Sequence, residues 1–525
     1  MTPRSAFAGA SAGTLFDLFE ASLSRYPGNI ALECGGERLT YADLAGLAAA
    51  TAASLGAKIE EPERFNVGLV ASRHRLSFAG YLAILGLGGT VVPLSAAWPV
   101  VRTRSIVRAL GIAAIVGADI EGTAIQKVVQ EAGIAAVTDQ DRPASAGDLH
   151  RVAGDPDRPA YTLFTSGSTG RPKGVPIANH RAVAYVRHAV ALAEVTASSR
   201  LSQMFDLTFD PSVFDLFGAW SSGAALCVPD EDDRINVARY VTSRQLTHWS
   251  SVPSTISIAQ LTNRLAAFSM PGLWSSQFIG EPLTVEGAAR WRAAAPYSSI
   301  WNMYGPTELT VACAGYRLPP EPGDWPRTRN GTVPIGWISP GHEFLVLAAD
   351  GRPAEAGELC VRGAQRFDGY LDPRDNAGRF VPAAQGRASM DGCAVDERSF
   401  YRTGDLVCWE DGRLVHLGRV DRQVKVGGYR VEPGEVEAAI RSLDGVVDAV
   451  AFPVTTRTGF TTMRAAYTGE RIDPVVISSH LRGVLPVYLL PQRVTWIRGL
   501  PLNANGKTDV DELVRFTENA RGKDG

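Results

Sequence analysis

Cysteine is scarce in these 525 residues, and basic charge never gathers into runs. The six cysteines (Cys34, Cys227, Cys313, Cys360, Cys393, Cys408) stand singly, with neither the spacing of a disulfide framework nor that of a metal site. A reducing, cytoplasmic compartment is therefore expected. No Lys/Arg run occurs and the net charge is −3, which argues against a nucleic-acid surface. The first fifteen residues hold one arginine and no apolar core, so no signal peptide is expected. Residues 76–101 carry no charge and are long enough to raise a membrane span, but Gly80, Gly86, Gly88, Gly89, Pro93 and Pro99 interrupt them. The stretch reads instead as a buried helix, a Gly-Gly turn and a buried strand over 90–94, and no membrane partner is expected.

Apolar residues make up 45% and charged residues 20%, the balance of a globular protein, and the length calls for two or more domains. Leu15, Leu18, Phe19, Leu23 and Tyr26 recur at helical spacing until Pro27-Gly28. A hairpin is expected around Gly35-Gly36, and Thr40-x-x-Asp43 has the form of a capping box opening a helix through Leu55. Apolar runs at 65–70, 90–94, 112–116 and 134–137 alternate with helical stretches. Such alternation predicts a layered α/β domain of mainly parallel strands with ligand loops at the strand ends.

The densest chemistry is Thr165-Ser-Gly-Ser-Thr-Gly-Arg-Pro-Lys-Gly174. Its glycines allow close backbone approach, its hydroxyls donate, and Lys173 adds a cation, so it reads as a cradle for phosphate oxygens. It is not a Walker loop, because Pro172 stands where the second glycine belongs and no Ser or Thr follows Lys173. It follows a β-prone run, 161–164, and is read as leading toward a helix from Asn179. Asp206 and Asp210 lie among aromatics in 205–214, so Asp210 is either a helix cap before Pro211 or aimed at a cation. Asn302-Met-Tyr-Gly-Pro-Thr-Glu308 offers an aromatic for a base, a hydroxyl and a carboxylate able to hold Mg2+, or else an ordinary turn. Tyr401-Arg-Thr-Gly-Asp-Leu406 places Asp405 to accept ribose hydroxyls, although alone it reads as a turn. Residues 418–430 form a charged hinge and a Gly-Gly loop, a helix is expected over 432–443, and a glycine turn near the end presents Lys507.

Together, segments 165–174, 209–212, 302–308, 401–406, 418–423 and 505–507 are similar, in order and spacing, to the adenylate-forming superfamily. Residues 39–44, 88–93 and 357–363 extend the resemblance over almost the whole chain, and it resembles the amino-acid adenylation domains of nonribosomal peptide synthesis. The resemblance implies an α/β fold, with a large multi-sheet N-terminal core (1–420) and a small mobile α+β lid (421–525) turning about Asp421. It also implies ATP and Mg2+. Thr165, Ser166, Gly167, Ser168, Thr169, Gly170 and Lys173 would hold phosphates, with Gly280, Glu281, Asn302, Met303, Gly305 and Thr307 completing the ATP site. Tyr304 would pack on adenine, Asp405 and Arg419 would hold ribose, and Glu308 would serve Mg2+. Lys507 would neutralise charge between carboxylate and α-phosphate, and Gly427 and Gly428 would line the path of a carrier's phosphopantetheine thiol.

By the same resemblance Asp210 pairs with a substrate α-ammonium. The side-chain pocket comprises Pro211, Phe214, Ser250, Gln277, Ile279, Met303, Val311 and Ala312, where Ile279 narrows it and suggests a small or medium amino acid. Segments 280–284 and 304–312 are similar to free-standing prolyl and D-alanyl carrier-protein ligases. No carrier signature follows Lys507, so a separate carrier protein is expected as partner. An acyl- or aryl-CoA ligase of the same fold is the alternative, and a non-catalytic nucleotide-binding relative is a further one.

Overall fold

The computed structural model describes residues 13–59, 65–141, 154–167, 171–382, 395–455, 461–501 and 509–519. The first helix, Leu15–Arg25, starts at a reciprocal capping box of Thr14 and Asp17 and turns Leu15, Phe16 and Phe19 inward. The box expected at Thr40 and Asp43 opens Tyr41–Gly56. Between them Ile30–Cys34 and Glu37–Thr40 pair antiparallel around Gly35-Gly36. The uncharged stretch is core: Leu76 to Gly86 are all buried in helix Arg75–Gly86, and strand Thr90–Leu94 is buried throughout. No helix among the described residues is long and apolar enough to cross a membrane.

Two large sheets carry the core. One has six strands in the order Ala135–Val137, Ile112–Val116, Asn66–Val70, Thr90–Leu94, Pro159–Thr165, Lys173–Ala178. Its strands run parallel except the last, which is antiparallel to its neighbour. That last strand corrects the sequence reading: the Gly-rich loop joins two strands of a hairpin rather than a strand and a helix. Val175 and Ile177 are buried on it, and Pro176 is its half-buried position. The other sheet has nine strands, parallel through the middle and antiparallel at both ends. Helices pack between the two, and the main hydrophobic cluster joins Leu32 and Leu226 of one sheet, Leu69 and Val91 of the other, and Phe19, Leu82 and Phe217 from helices.

A third sheet contains His342–Leu347, Ala356–Gly363, Phe380–Val381, Phe400–Glu410 and Arg413–Arg419. Residues 401–406 therefore lie inside an eleven-residue strand and form no turn. Among the described residues, strands from Val424 onward pair only with one another. Val424–Val426 and Tyr429–Val431 form a hairpin, and Val446–Thr455, Thr461–Gly469 and Arg493–Trp496 a small sheet. Val436, Ile440, Ala465 and Leu481 give this small C-terminal α+β domain its own core.

The small domain seats on the large one through a desolvated ion pair. Arg102, on helix Val100–Leu110, donates to Glu435 at 3.0 Å, with the two side chains only 3% and 6% exposed. Edge-on contact of Phe209 with Tyr429, centroids 4.3 Å apart, adds to the seat. Removing one member of a buried pair strands the other charge, at a cost of about 3–5 kcal/mol. Arg102→Ala is expected to loosen the seat and speed limited proteolysis between residues 419 and 424 at least severalfold. An unchanged cleavage rate would show that the pair holds nothing in place.

Candidate active site

Strand ends bring the motifs to one cleft. Thr165 ends its strand paired with Lys173, and both Thr165 and Ser166 line the cavity. The Ser166 hydroxyl donates to the Arg430 carbonyl at 2.6 Å. Lys173 is buried, 3.3 Å from an Asp375 oxygen and above the Tyr370 ring. Ser168, Thr169 and Gly170 lie outside the described residues, as does Lys507.

Asp210 lies just ahead of helix Ser212–Trp220, but its side chain does not cap it. Its carbonyl accepts the Val213 amide at 3.0 Å, and no side-chain cap bond forms. The carboxylate belongs to the cavity, with Pro211, Ile279 and Val311 also in the lining. Burial and the nearby Glu308 charge push its pKa up to about 6, against the opposing pull of Lys425 and the Thr307 hydroxyl. The helix-cap reading is thereby displaced: this is a buried acid facing the cavity, its charge only partly offset by Lys425 and the Thr307 hydroxyl.

Of the expected side-chain pocket, Phe214, Ser250, Gln277 and Ala312 are buried but stand outside the lining of that cavity. Phe214 belongs to the main hydrophobic cluster. Ser250 and Gln277 are register partners on neighbouring parallel strands; the Ser250 amide donates to Ser202 at 3.0 Å, and the Gln277 amide nitrogen has no partner. Met303 lines an adjoining cavity with Glu281, Asn302 and Tyr304. Gly280, Gly305, Asp405 and Arg419 line both cavities, and Thr307 lines the first.

Glu308 is fully buried, its two oxygens each 3.0 Å from Arg430 Nη1 and one 2.6 Å from the Tyr370 hydroxyl. Burial raises its pKa, but Arg430 and Tyr370 outweigh it and hold the carboxyl below the usual range. No cluster of three or more metal-ligating side chains occurs among the described residues. A lone carboxylate already paired with a guanidinium does not fit Mg2+ in this arrangement; Glu308 is open to a metal only with Arg430 withdrawn.

Asp405 accepts from Tyr304 at 2.7 Å on one oxygen, and from Arg419 at 2.7 Å and His416 at 3.3 Å on the other. Burial pushes its pKa up, yet His416 and Arg419 together hold it well below the carboxylate range. Arg419 also grips Asp421 at 2.6 Å, tying the last strand of the large domain to the expected hinge.

Into this cleft the small domain inserts its hairpin. Gly427 and Gly428 form the two-residue turn with φ of 57° and 83°, which suits glycine and the twist of the strands. The Gly428 amide donates to Glu281 at 2.7 Å, and the other Glu281 oxygen takes the Ser254 amide at 2.8 Å. A Cβ on Gly428 would collide with Val252. Lys425, on the same hairpin, lines the cavity beside Asp210 and Asp405; burial lowers its pKa, with Asp405 opposing. Sequence reasoning missed Lys425, Arg430, His416, and the aromatics Trp98, Tyr429 and Tyr488 in the lining. Lys425 and Arg430 stood in the charged stretch 418–430, where nothing in the residue order says which cations turn inward.

A family model described as AMP-binding enzyme matches residues 19–371. A plipastatin synthase of Bacillus subtilis is 31% identical over 524 residues, and phosphinothricin tripeptide synthetase PhsC of Streptomyces viridochromogenes 31% over 530; each match covers 95% of this chain. The chain spans 19% and 45% of the length of these two relatives. Among solved structures, IdnL7 is 35% identical with a TM-score of 0.69, over 97% of this chain and 99% of that one. The Vibrio cholerae adenylation domain AlmE shares the fold at 24% identity and a TM-score of 0.81, over 99% of this chain and 100% of that one.

The Asp405 cluster has a pH signature. A carboxylate with a depressed folded pKa contributes stability above its unfolded value, about 3.9, and loses it as the pH falls toward the lower folded one. Asp405→Asn is expected to lower stability by roughly 1.5–3 kcal/mol at pH 7, and the difference to converge progressively toward zero as the pH falls below about 4, most of it still present at about pH 3. Thermal melts across that range read the convergence; a constant difference would contradict it.

Proposed function

The chain belongs to the AMP-binding enzymes of the adenylate-forming superfamily, and on that premise we propose that it activates a small-to-medium amino acid with ATP and passes it to the phosphopantetheine thiol of a separate carrier protein. The substrate carboxylate attacks the α-phosphate of ATP, pyrophosphate leaves, and an aminoacyl adenylate forms. The carrier thiol then attacks the acyl carbon, loses its proton, and displaces AMP to leave a thioester. The observation that carries this reading is Asp210: a buried carboxylate facing the cavity, whose pKa burial and Glu308 raise to about 6 despite the pull of Lys425, an arrangement that a bound ammonium would relieve. Relatives named as peptide synthetases, matched over 95% of this chain, support an amino-acid substrate.

In this proposal the Thr165, Ser166, Gly167, Ser168, Thr169, Gly170 and Lys173 segment holds the departing phosphates. Asp405 and Arg419 take ribose and Tyr304 takes adenine, with Gly280, Glu281, Asn302, Met303, Gly305 and Thr307 around them. Lys507 meets the charge that develops between carboxylate and α-phosphate. Glu308 would hold Mg2+ once Arg430 has left; the metal would offset phosphate charge. Glu281 anchors the Gly427-Gly428 hairpin, which supports reading the present arrangement as that of the thiol step, reached by turning about Asp421. Pro211, Ile279 and Val311 in the lining favour a modest side chain, with Phe214, Ser250, Gln277 and Ala312 as its outer support.

The test is amino-acid-dependent ATP–pyrophosphate exchange over a panel of amino acids. Asp210→Ala is expected to abolish it, a fall of about a hundredfold or more; undiminished exchange would refute the amino-acid assignment. Lys507→Ala is expected to reduce adenylate formation by about 10²–10³ while transfer from a supplied adenylate stays much less affected. Equal losses in both steps would contradict the two-position lid. A coenzyme A ligase, the alternative, would deliver product to free coenzyme A rather than to a pantetheinylated carrier.

A further inference from the structure

Val311 stands in the lining of the Asp210 cavity with a backbone angle that a β-branched residue avoids. Its φ is +72°, and Thr310 before it has φ +53° and ψ 74°. The Ala312 amide donates to the Thr310 carbonyl at 3.0 Å, closing a three-residue γ-turn centred on Val311. Turns of this hand are rare and strained. Two consecutive left-handed residues persist only where the surroundings over-determine them.

The determinant is one buried amide. Gln365, 2% exposed, directs its Nε2 at three carbonyls of the turn: Ala312 at 2.8 Å, Thr310 at 3.1 Å and Leu309 at 3.3 Å. In return the Thr310 hydroxyl donates to the Gln365 carbonyl at 2.6 Å. Among uncharged side chains a primary amide is suited to this task, since it supplies two donors from one nitrogen. Two residues on, the Phe367 amide donates to the Glu308 carbonyl at 2.9 Å, so the turn is braced at its start as well. On another side it abuts Gly305, where a Cβ would press on the Val311 carbonyl at 2.6 Å and on Ala312 Cα at 2.7 Å.

We propose that Gln365 is a specificity-positioning residue: it clamps the 309–312 turn so that Val311 forms the wall beside Asp210, and thereby sets which amino-acid side chains fit. This rests on the reading of that cavity as the amino-acid site. Gln365 does not line the cavity; it acts through Val311. Without the clamp the turn relaxes from its left-handed conformation and the wall moves. A wall displaced by the size of a methylene changes discrimination between apolar substrates by about 10–200-fold.

Two variants test it in the full-length enzyme. Q365E keeps the shape but sets an oxygen against three carbonyls; Q365M removes the donors without that repulsion and serves where Q365E does not fold. Each is compared with wild type for exchange kinetics over amino acids of graded side-chain size, with ATP varied separately, and for melting temperature. The expected result is a rise of about tenfold or more in KM for the preferred amino acid, with a reordered panel and little change in KM for ATP. A lower melting temperature with the panel order intact would overturn the inference, as would a parallel rise in both KM values. Wild-type enzyme without exchange for any amino acid would instead overturn the functional reading beneath it.

Discussion

Three carboxylates of the large domain, Asp210, Glu308 and Asp405, gather around one buried cleft, and their mutual repulsion must be answered for the cleft to close. Glu308 is answered by Arg430, Asp405 by Arg419 and His416, and Lys425 attracts both Asp210 and Asp405. Two of these cations, Lys425 and Arg430, arrive on a single hairpin of the small domain. Seating that domain and neutralising the cleft are therefore one event. Asp210 is the least satisfied of the three, which its raised pKa of about 6 records.

The fold makes this convergence possible because its central strands are parallel. Neighbouring parallel strands end on the same side, and the loops leaving them are delivered to one place. Val252 follows strand His248–Ser251, Ile279 and Gly280 follow Ser275–Phe278, and Gly305 follows Ser299–Tyr304. These loops all contribute to the lining. Local cost is accepted where shape matters, at the Thr310–Val311 turn, and is held by the loop after Ala356–Gly363.

On the proposed reading, the lid exchanges one set of cations for another. Lys507 would serve while two anions are brought together, and Lys425 and Arg430 occupy the cleft once the lid has turned. Arg430 and a metal ion would compete for the same Glu308 carboxylate, so the two positions of the lid exclude each other on electrostatic grounds.

Much was legible from the chain alone. Local signals fixed local structure: the box at Thr40 and Asp43, the hairpin at Gly35-Gly36, and the alternation of apolar runs that gave parallel layers. Glycine and hydroxyl density marked the loop at 165–174, and motif order marked the family. Where signals were ambiguous in one dimension, the reading erred: strand Lys173–Ala178 was passed over, and Asp405 was left open to a turn. Tertiary structure alone decided that Asp210 faces a cavity instead of capping its helix, that Lys425 and Arg430 turn inward, and that Gln365 clamps a turn more than fifty residues earlier in the chain. The reason is physical. Caps, turns and periodicity depend on neighbours within a few residues, whereas the ionisation of a carboxylate and the strain a backbone can sustain depend on what the fold packs against them from far along the sequence.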